Sequence, residues 1–110
     1  EAASEAGERK IAACIDHLIP LVKHEKTWVA QRAGAALGLI GEARPSVLSA
    51  LASMTEGPDP ERHFVAINAL GDIGGDRALR YLDTMAIGHP TDAIRALARQ
   101  TADRVRGRTR

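Results

Sequence analysis

The string "AALGLIG" at residues 35–41 returns as "NALGDIGG" at residues 68–75. When Ala33 is laid on Ala66, six pairs in a window of nine are identical. The identical pairs are Ala33 and Ala66, Ala36 and Ala69, Leu37 and Leu70, Gly38 and Gly71, Ile40 and Ile73, and Gly41 and Gly74. Such a string has two interpretations, a glycine-rich loop that cradles a phosphate or a structural repeat. The choice decides whether the chain is a catalyst or a scaffold.

The periodicity continues in the apolar residues outside the glycine strings. One apolar triplet occurs three times. The second copy follows the first by 33 residues, like the glycine strings, and the third follows the second by 31 residues. The copies are Ile15, Leu18 and Leu21; Leu48, Leu51 and Met54; and Leu79, Leu82 and Met85. A degenerate third copy of the glycine segment follows the second at nearly the same interval, with Ala98, Ala102 and Val105 at its apolar positions. The spacing within each copy places the apolar residues on one helix face. We therefore expect an all-α chain of repeated helix pairs.

Start and stop signals divide each period into two helices. Asp59 followed by Pro60 predicts a helix start, and Gly74 predicts its end through a left-handed cap. Pro20 lies inside the first helix, where it predicts a kink or an early end. We expect about six helices in antiparallel pairs within one domain over 1–110. They divide into a half repeat over 8–24, repeats over 27–57 and 59–88, and a terminal half repeat over 90–107.

The stretch "DPERHFVAINALGDIG" at 59–74 resembles HEAT repeats, whose pattern is Asp-Pro-x-Val-Arg-x-x-Ala-x-x-Ala-Leu-Gly-x-Ile-Gly. It is most similar to the phycobilisome-lyase HEAT-like subclass, and "TWVAQRAGAALGLIG" at 27–41 follows the pattern nearly as well. The resemblance spans residues from about 10 to 107 and implies a right-handed superhelical α-solenoid. The Val-Arg pair is altered in each copy, so the arginine ladder of some HEAT proteins is mostly missing. The altered pairs are Val29-Ala30, Arg62-His63 and Ile94-Arg95.

Composition limits the classes to which the chain can belong. Hydrophobic residues make up 45% of the 110 residues but aromatic residues only 3%, which favours closely packed helices over a β-sandwich. The net charge of +1 gives no general attraction to nucleic acid, and no apolar run reaches the ~20 residues of a membrane span. The single cysteine, Cys14, excludes an internal disulfide and favours a reducing, cytoplasmic location. The chain does not begin with Met, so we expect a piece of a longer protein.

The position of the glycines favours a structural repeat over a phosphate loop. A phosphate loop needs backbone N–H groups at the start of a helix. Gly41 and Gly74 align instead with helix ends, where the dipole repels phosphate. Gly38 and Gly71 fall inside helices, and each costs about 1 kcal/mol of helix stability relative to Ala. We expect the paired helix of the same hairpin to approach closely at both positions and to offset that cost.

The histidine pattern predicts no catalytic or metal site. "HEKTW" at 24–28 begins like a zinc-protease helix, but Trp28 stands where the second histidine ligand is needed. Deoxyhypusine hydroxylase has recurring His-Glu pairs in HEAT-like repeats, whereas His24-Glu25 has no counterpart one period later. We therefore expect surface histidines, no metal and no cofactor.

Two other side chains raise a question of burial. Cys14 aligns with Val47 and Ala78, which predicts an inert thiol in the core. Trp28 stands at a helix start, where a tryptophan of similar repeats commonly packs on the preceding helix. The alternative is that Trp28 is exposed and anchors a partner protein.

The second helix of each HEAT-like repeat typically lines the concave face, which makes that face the first candidate binding surface. We expect its outward residues to be Asp16 in the first helix, Ser46, Ser49 and Ser53 in the next, and Arg77, Arg80 and Thr84 in the last. A shallow polar surface of this kind, without a deep pocket, suits an extended protein segment more than a small molecule.

An arginine stripe forms the second candidate surface. Arg95, Arg99, Arg106 and Arg110 follow one another at spacings of four, seven and four, so they line one face of the last helix. Such a stripe can bind the phosphates of nucleic acid. No aromatic residue is interleaved and Asp103 interrupts the stripe, so a solubilising terminal helix is the favoured interpretation.

These patterns predict a non-catalytic protein-interaction or scaffolding module. Its partner is another protein, or another domain of the same chain, bound on the concave face. Two alternatives stay open at this point. In the first, the chain is an accessory C-terminal domain of a larger enzyme, of aminopeptidase or lyase type. In the second, it binds nucleic acid through the arginine stripe.

Overall fold

Six α-helices make up most of residues 2–108, the part of the chain whose backbone is described by this computed structural model; side chains are described for residues 9–108. The helices are α1 (Ala2–Leu21), α2 (Thr27–Ile40), α3 (Pro45–Ser53), α4 (Pro60–Ile73), α5 (Gly75–Gly88) and α6 (Asp92–Arg108). No β-strand occurs between residues 2 and 108. The prediction of an all-α chain of about six helices is confirmed, while the assignment of repeat boundaries stays a prediction.

Local signals set several of the helix ends. The Asp59 carboxylate accepts a hydrogen bond from the Glu61 N–H at 3.0 Å, and Pro60 is the first helical residue, as expected. Gly41 ends α2 in the left-handed conformation, with φ 74° and ψ 15°. Gly74 has φ 65° but ψ −163°, so it does not form the expected left-handed cap. Because α5 begins at the next residue, Gly74 instead turns the chain directly from one helix into the other.

The first helix begins and ends earlier than the predicted half repeat over 8–24. α1 starts at Ala2 and ends at Leu21, immediately after Pro20. The following residues form tighter turns, in which the Val22 N–H donates to the Ile19 carbonyl at 3.3 Å. Of the two outcomes expected from Pro20, the structure has the early end.

The helices form two layers with an apolar core between them. α2, α4 and α6 contact one another in order and form the first layer, whereas α1, α3 and α5 form the second. The Cα atoms extend over 47 × 39 × 17 Å, so the molecule is only two helices thick. The largest fully buried side chains are aliphatic and include Ile15, Leu37, Leu48, Leu51, Ile67, Leu70 and Leu82.

Two glycines allow the first-layer helices to touch. A Cβ added to Gly38 would lie 3.0 Å from both the Cα and the Cβ of Ala69 in α4. A Cβ added to Gly71 would lie 2.5 Å from Thr101 Cγ2 in α6. The expected close approach is therefore present, but the expectation of a partner within the same hairpin is wrong. The helix that approaches belongs to the next repeat, because the first layer stacks along the solenoid and carries the contact between repeats.

A polar network joins the starts of α2 and α4. Thr27 Oγ1 donates to Asp59 Oδ2 at 2.5 Å, and Arg62 Nε lies 3.6 Å from the same oxygen. Arg62 also donates to the carbonyl oxygens of His24 and Glu25, at 2.6 and 3.0 Å, in the loop before α2. This arginine therefore ties one repeat to the loop that precedes the other, although a continuous arginine ladder is missing from the sequence.

The glycine contact gives the first prediction. Gly38→Val should lower the free energy of unfolding by about 1–3 kcal/mol, because a branched side chain would push α2 away from the backbone of α4. Gly107→Val is the matched control, since nothing lies within 4 Å of a Cβ at Gly107. Urea denaturation followed by circular dichroism measures both variants. Equal stability of the two variants would contradict the contact between α2 and α4.

The network around Asp59 gives the second prediction. The hydrogen bond from Thr27 lowers the pKa of Asp59, and the Glu61 N–H and the Arg62 charge act in the same direction. A pKa that is lower in the folded state adds stability above the pKa of the unfolded chain, and this stability is lost as the pH falls through the folded pKa. Asp59→Asn should therefore lower the free energy of unfolding above about pH 5, with a progressively smaller effect as the pH falls from about 4 towards 2.

The same denaturation series, repeated at several pH values, measures the difference between wild type and Asp59→Asn. Thr27→Val is the second variant, because it removes the largest cause of the lowered pKa. In the Thr27→Val background, the pH dependence of the Asp59→Asn effect should shrink. A difference between wild type and Asp59→Asn that stays constant over the whole pH range would rule out this role of Asp59.

Candidate functional site

The residues predicted for the concave face lie on the three helices of the second layer. Asp16 is exposed on α1, Ser46 and Ser49 are exposed on α3, and Ser53 is half-buried at the end of α3. Arg77, Arg80 and Thr84 are exposed on α5. Spacings of three and four place each set on one face of its helix. The structure therefore brings these residues to one layer of the molecule, and their role in binding stays a prediction.

A groove of about 540 Å³ opens between α3 and α5 in this layer. Its walls are largely apolar, which differs from the shallow polar surface expected from the sequence. The lining residues are Ala52, Thr55, Glu56, Arg80, Tyr81, Thr84, Met85, Gly88, His89 and Pro90. Of the residues predicted for the concave face, only Arg80 and Thr84 line this groove. The serines were expected beside them, but they lie along α3 outside the groove.

The groove exists because α3 is shorter than α5. α3 has 9 residues and α5 has 14, so the last part of α5 has no second-layer helix beside it. Two hydroxyl groups accompany the early end of α3: Ser53 Oγ donates to the Ala50 carbonyl at 2.6 Å, and Thr55 Oγ1 to the Ala52 carbonyl at 2.7 Å. Side chains of this kind compete for the carbonyl oxygens that would accept the next backbone N–H groups if the helix continued.

The corresponding segment of α5 lacks these features. In the register that aligns Leu48 with Leu79, Thr55 and Glu56 correspond to Ala86 and Ile87, and α5 continues to Gly88. The repeat alignment treats α3 and α5 as helices of the same length, so it does not indicate this difference. The groove-lining residues Tyr81, Met85 and His89 were therefore not predicted. The contrast between "SMTEGP" at 53–58 and "TMAIGH" at 84–89 is the signal from which it could have been inferred.

His89 closes one end of the groove. Its Nε2 donates to the Thr55 carbonyl at 2.8 Å, and its Nδ1 accepts the Thr91 N–H at 3.1 Å. His89 also lies edge-on to His63, with ring centroids 6.1 Å apart. His63 is buried and its Nε2 contacts the Gly57 carbonyl, so the expectation of a surface histidine is wrong at this position. His63 on α4 and His89 after α5 therefore both bond to carbonyl groups of the turn that follows α3.

The α5 wall of the groove has unpaired positive charge. Arg77 and Arg80 are exposed, and within residues 9–108 neither forms an ion pair. Asp83 of the same helix pairs with Arg106 of α6 at 2.5 Å. Glu56 lines the groove and also a neighbouring groove with Lys23, at the side nearer α1. The groove therefore has a basic wall on α5 and an acidic residue on the opposite side.

The arginine stripe of α6 is largely engaged within the molecule. Arg95 donates to the His89 carbonyl at 2.6 Å and pairs with Asp92. Arg106 bonds to Asp83 and to Asp103. Arg99 is exposed, and Arg110 lies outside the described residues. The stripe thus fastens α6 to α5, which leaves less of it for the phosphates of nucleic acid.

Trp28 and Cys14 are both exposed, so the packing expected for each is wrong. Trp28 retains 60% of its accessible surface and lies on the outward face of α2 together with Leu39, which is 86% exposed. Cys14 is exposed on α1 because no described helix covers that face. Its aligned residues Val47 and Ala78 are buried, since α3 packs against α1, α4 and α5, and α5 packs against α3, α4 and α6. The alternative role of Trp28, an anchor for a partner, stays a prediction.

Neither a metal centre nor a membrane segment is found in the described part of the chain. No three side chains of the His, Cys, Asp and Glu types come close enough there to hold a metal ion. None of its helices combines the length and the apolar character that crossing a bilayer requires.

Comparison with known proteins identifies the family. The family model for HEAT repeats matches residues 15–103, which cover α2 to α5 completely, most of α6 and the last part of α1. No curated protein and no solved structure matches the chain. The match agrees with the stacked helix pairs, with the helix-breaking glycines between them and with the two-layer core. The chain belongs to the HEAT-repeat family.

Proposed function

We propose that this chain is a non-catalytic interaction module that binds a segment of another protein, or of another domain of the same chain, in the groove between α3 and α5. HEAT repeats generally mediate protein–protein interaction or scaffolding. The single observation that supports this location is the largely apolar groove of about 540 Å³ on the second layer.

The chemistry of the lining favours the side chains of a protein over a polar metabolite. Thr84 Oγ1 donates to the Arg80 carbonyl at 2.8 Å, and His89 and Thr55 also have partners within the chain. No buried side-chain N or O atom among the described residues lacks a hydrogen-bond partner. Apart from the charged Arg80 and Glu56, the lining therefore offers few polar groups that could orient a polar metabolite. Here the free energy of binding would come mainly from apolar contact with Tyr81 and Met85.

Three further assignments belong to the same proposal. The Ala-Leu-Gly-x-Ile-Gly strings support the phycobilisome-lyase HEAT-like subclass. The single cysteine supports a cytoplasmic location. The exposed residues Asp16 on α1 and Ser46 and Ser49 on α3, in the same layer as the groove, would extend the contact with the partner.

The proposal predicts that filling the groove abolishes binding. Peptides selected by phage display on the wild-type protein should bind Ala52→Phe at least about tenfold more weakly, because the new ring would occupy the groove. Ala96→Phe places the same side chain on the exposed surface of α6 and should bind these peptides like the wild type. Fluorescence anisotropy measures the affinities, and thermal unfolding checks that both variants are folded.

Two results would contradict the proposed function. One is a set of selected peptides that bind Ala52→Phe as tightly as the wild type, which would place the binding surface elsewhere. The other is a selection that yields no peptide above background on the wild-type protein.

A further inference from the structure

We infer that the segment bound in the groove is acidic as well as apolar: an apolar side chain lies against Tyr81 and Met85, and a carboxylate beside it pairs with Arg80. This inference rests on the proposed function and names the chemistry of the partner. It follows from the charges of the α5 wall, from the order of residues along α5 and from the position of Glu56.

The charges of the α5 wall are positive and unneutralised. Arg80 lines the groove, and Arg77 lies one helical turn away on the same face. The nearest carboxylates of α5 do not neutralise them. Asp83 is taken by Arg106, and Asp76 lies in the first turn of the helix and forms no ion pair within residues 9–108. Within residues 9–108, Arg80 in the groove and Arg77 one turn away therefore have no carboxylate partner, and each can bind a carboxylate of the segment.

The order of residues along α5 places the basic group before the apolar one. The exposed stripe begins with Arg77 and Arg80 and ends with Ile87, which is 83% exposed. Met85, buried in the wall, follows Arg80 by about 7.5 Å along the helix axis. Two residues of an extended chain span about 6.6 Å and point to the same side. An acidic residue and an apolar residue separated by one position therefore match Arg80 and the apolar part of the groove.

Glu56 determines on which side of the groove the carboxylate binds. This residue lines both the α3–α5 groove and the neighbouring groove that contains Lys23 and Arg62, so it lies between the two. The acidic residue of the partner is therefore expected on the α5 side, away from Glu56. Glu56 also supplies a charge control, because neutralising it should not weaken the binding of an acidic peptide.

Four synthetic peptides test the inference. Two of them carry Asp-Ser-Leu or Leu-Ser-Asp between short Gly-Ser flanks, and the other two are the same peptides with Asn in place of Asp. NMR titration of the ¹⁵N-labelled protein, followed at the amide signals of α5, measures weak affinities. At low salt, one of the two Asp peptides should bind about two- to fivefold more tightly than its Asn counterpart. The advantage should shrink at about 0.5 M salt, where exposed charges are screened.

Variants assign the effect to the α5 wall. Arg80→Gln should remove most of the advantage of the Asp peptide and leave the binding of the Asn peptide unchanged. Arg77→Gln should have the same effect to a smaller extent, while Glu56→Gln should leave the advantage intact or increase it. Arg99→Gln on α6 is the matched control and should change nothing, because Arg99 is exposed but lies outside the groove.

The outcomes separate this inference from the proposed function. If Asp and Asn peptides bind equally and Ala52→Phe weakens both, the acidic preference is wrong and the groove remains the binding site. If none of the four peptides binds, and phage display yields no peptide whose affinity is weakened by Ala52→Phe, both proposals fail. A short oligothymidylate is the last probe. If it binds α5 more tightly than the Asp peptides and Arg80→Gln abolishes this binding, the arginines recognise phosphate and the inference is overturned.

Discussion

The contact between α2 and α4 at Gly38 and Ala69 is the constraint on which the rest of the molecule depends. With no Cβ at Gly38, the two helices approach so closely that an added Cβ would lie 3.0 Å from the backbone of Ala69. Gly71 repeats the arrangement against α6. The spacing of the first layer follows from these contacts, and the second-layer helices take positions that the first layer dictates. The core is accordingly built from small and aliphatic residues rather than from aromatic ones.

The second layer is less tightly constrained, and this difference produces the site. Its helices differ in length, 9 residues in α3 against 14 in α5, without any disturbance of the stacked first layer. The uncovered part of α5 becomes a wall, and the turn after α3, held by His89 and His63, becomes the end of the groove. A polar network around Asp59 joins the starts of α2 and α4 and keeps neighbouring repeats in register.

Features encoded by neighbouring residues could be predicted from the sequence, and features that depend on distant elements could not. The Asp59-Pro60 start and the apolar triplets are local, and they predicted the number of helices and much of the core correctly. The exposure of Cys14 and of Trp28 depends on which helices stand beside α1 and α2, which no local pattern records. The ion pair between Arg106 of α6 and Asp83 of α5 could not be predicted from the sequence for the same reason.

The turn after α3 has a consequence for how such a module can diversify. The residues at the end of α3, Ser53 and Thr55, donate to carbonyl groups of their own helix and lie at or beside the proposed binding groove. A change of Thr55 to a strong helix former would lengthen α3 and narrow the groove from its open side, with every residue of the α5 wall retained. The selectivity of the proposed groove can therefore drift through the length of one helix, independently of the side chains of the α5 wall.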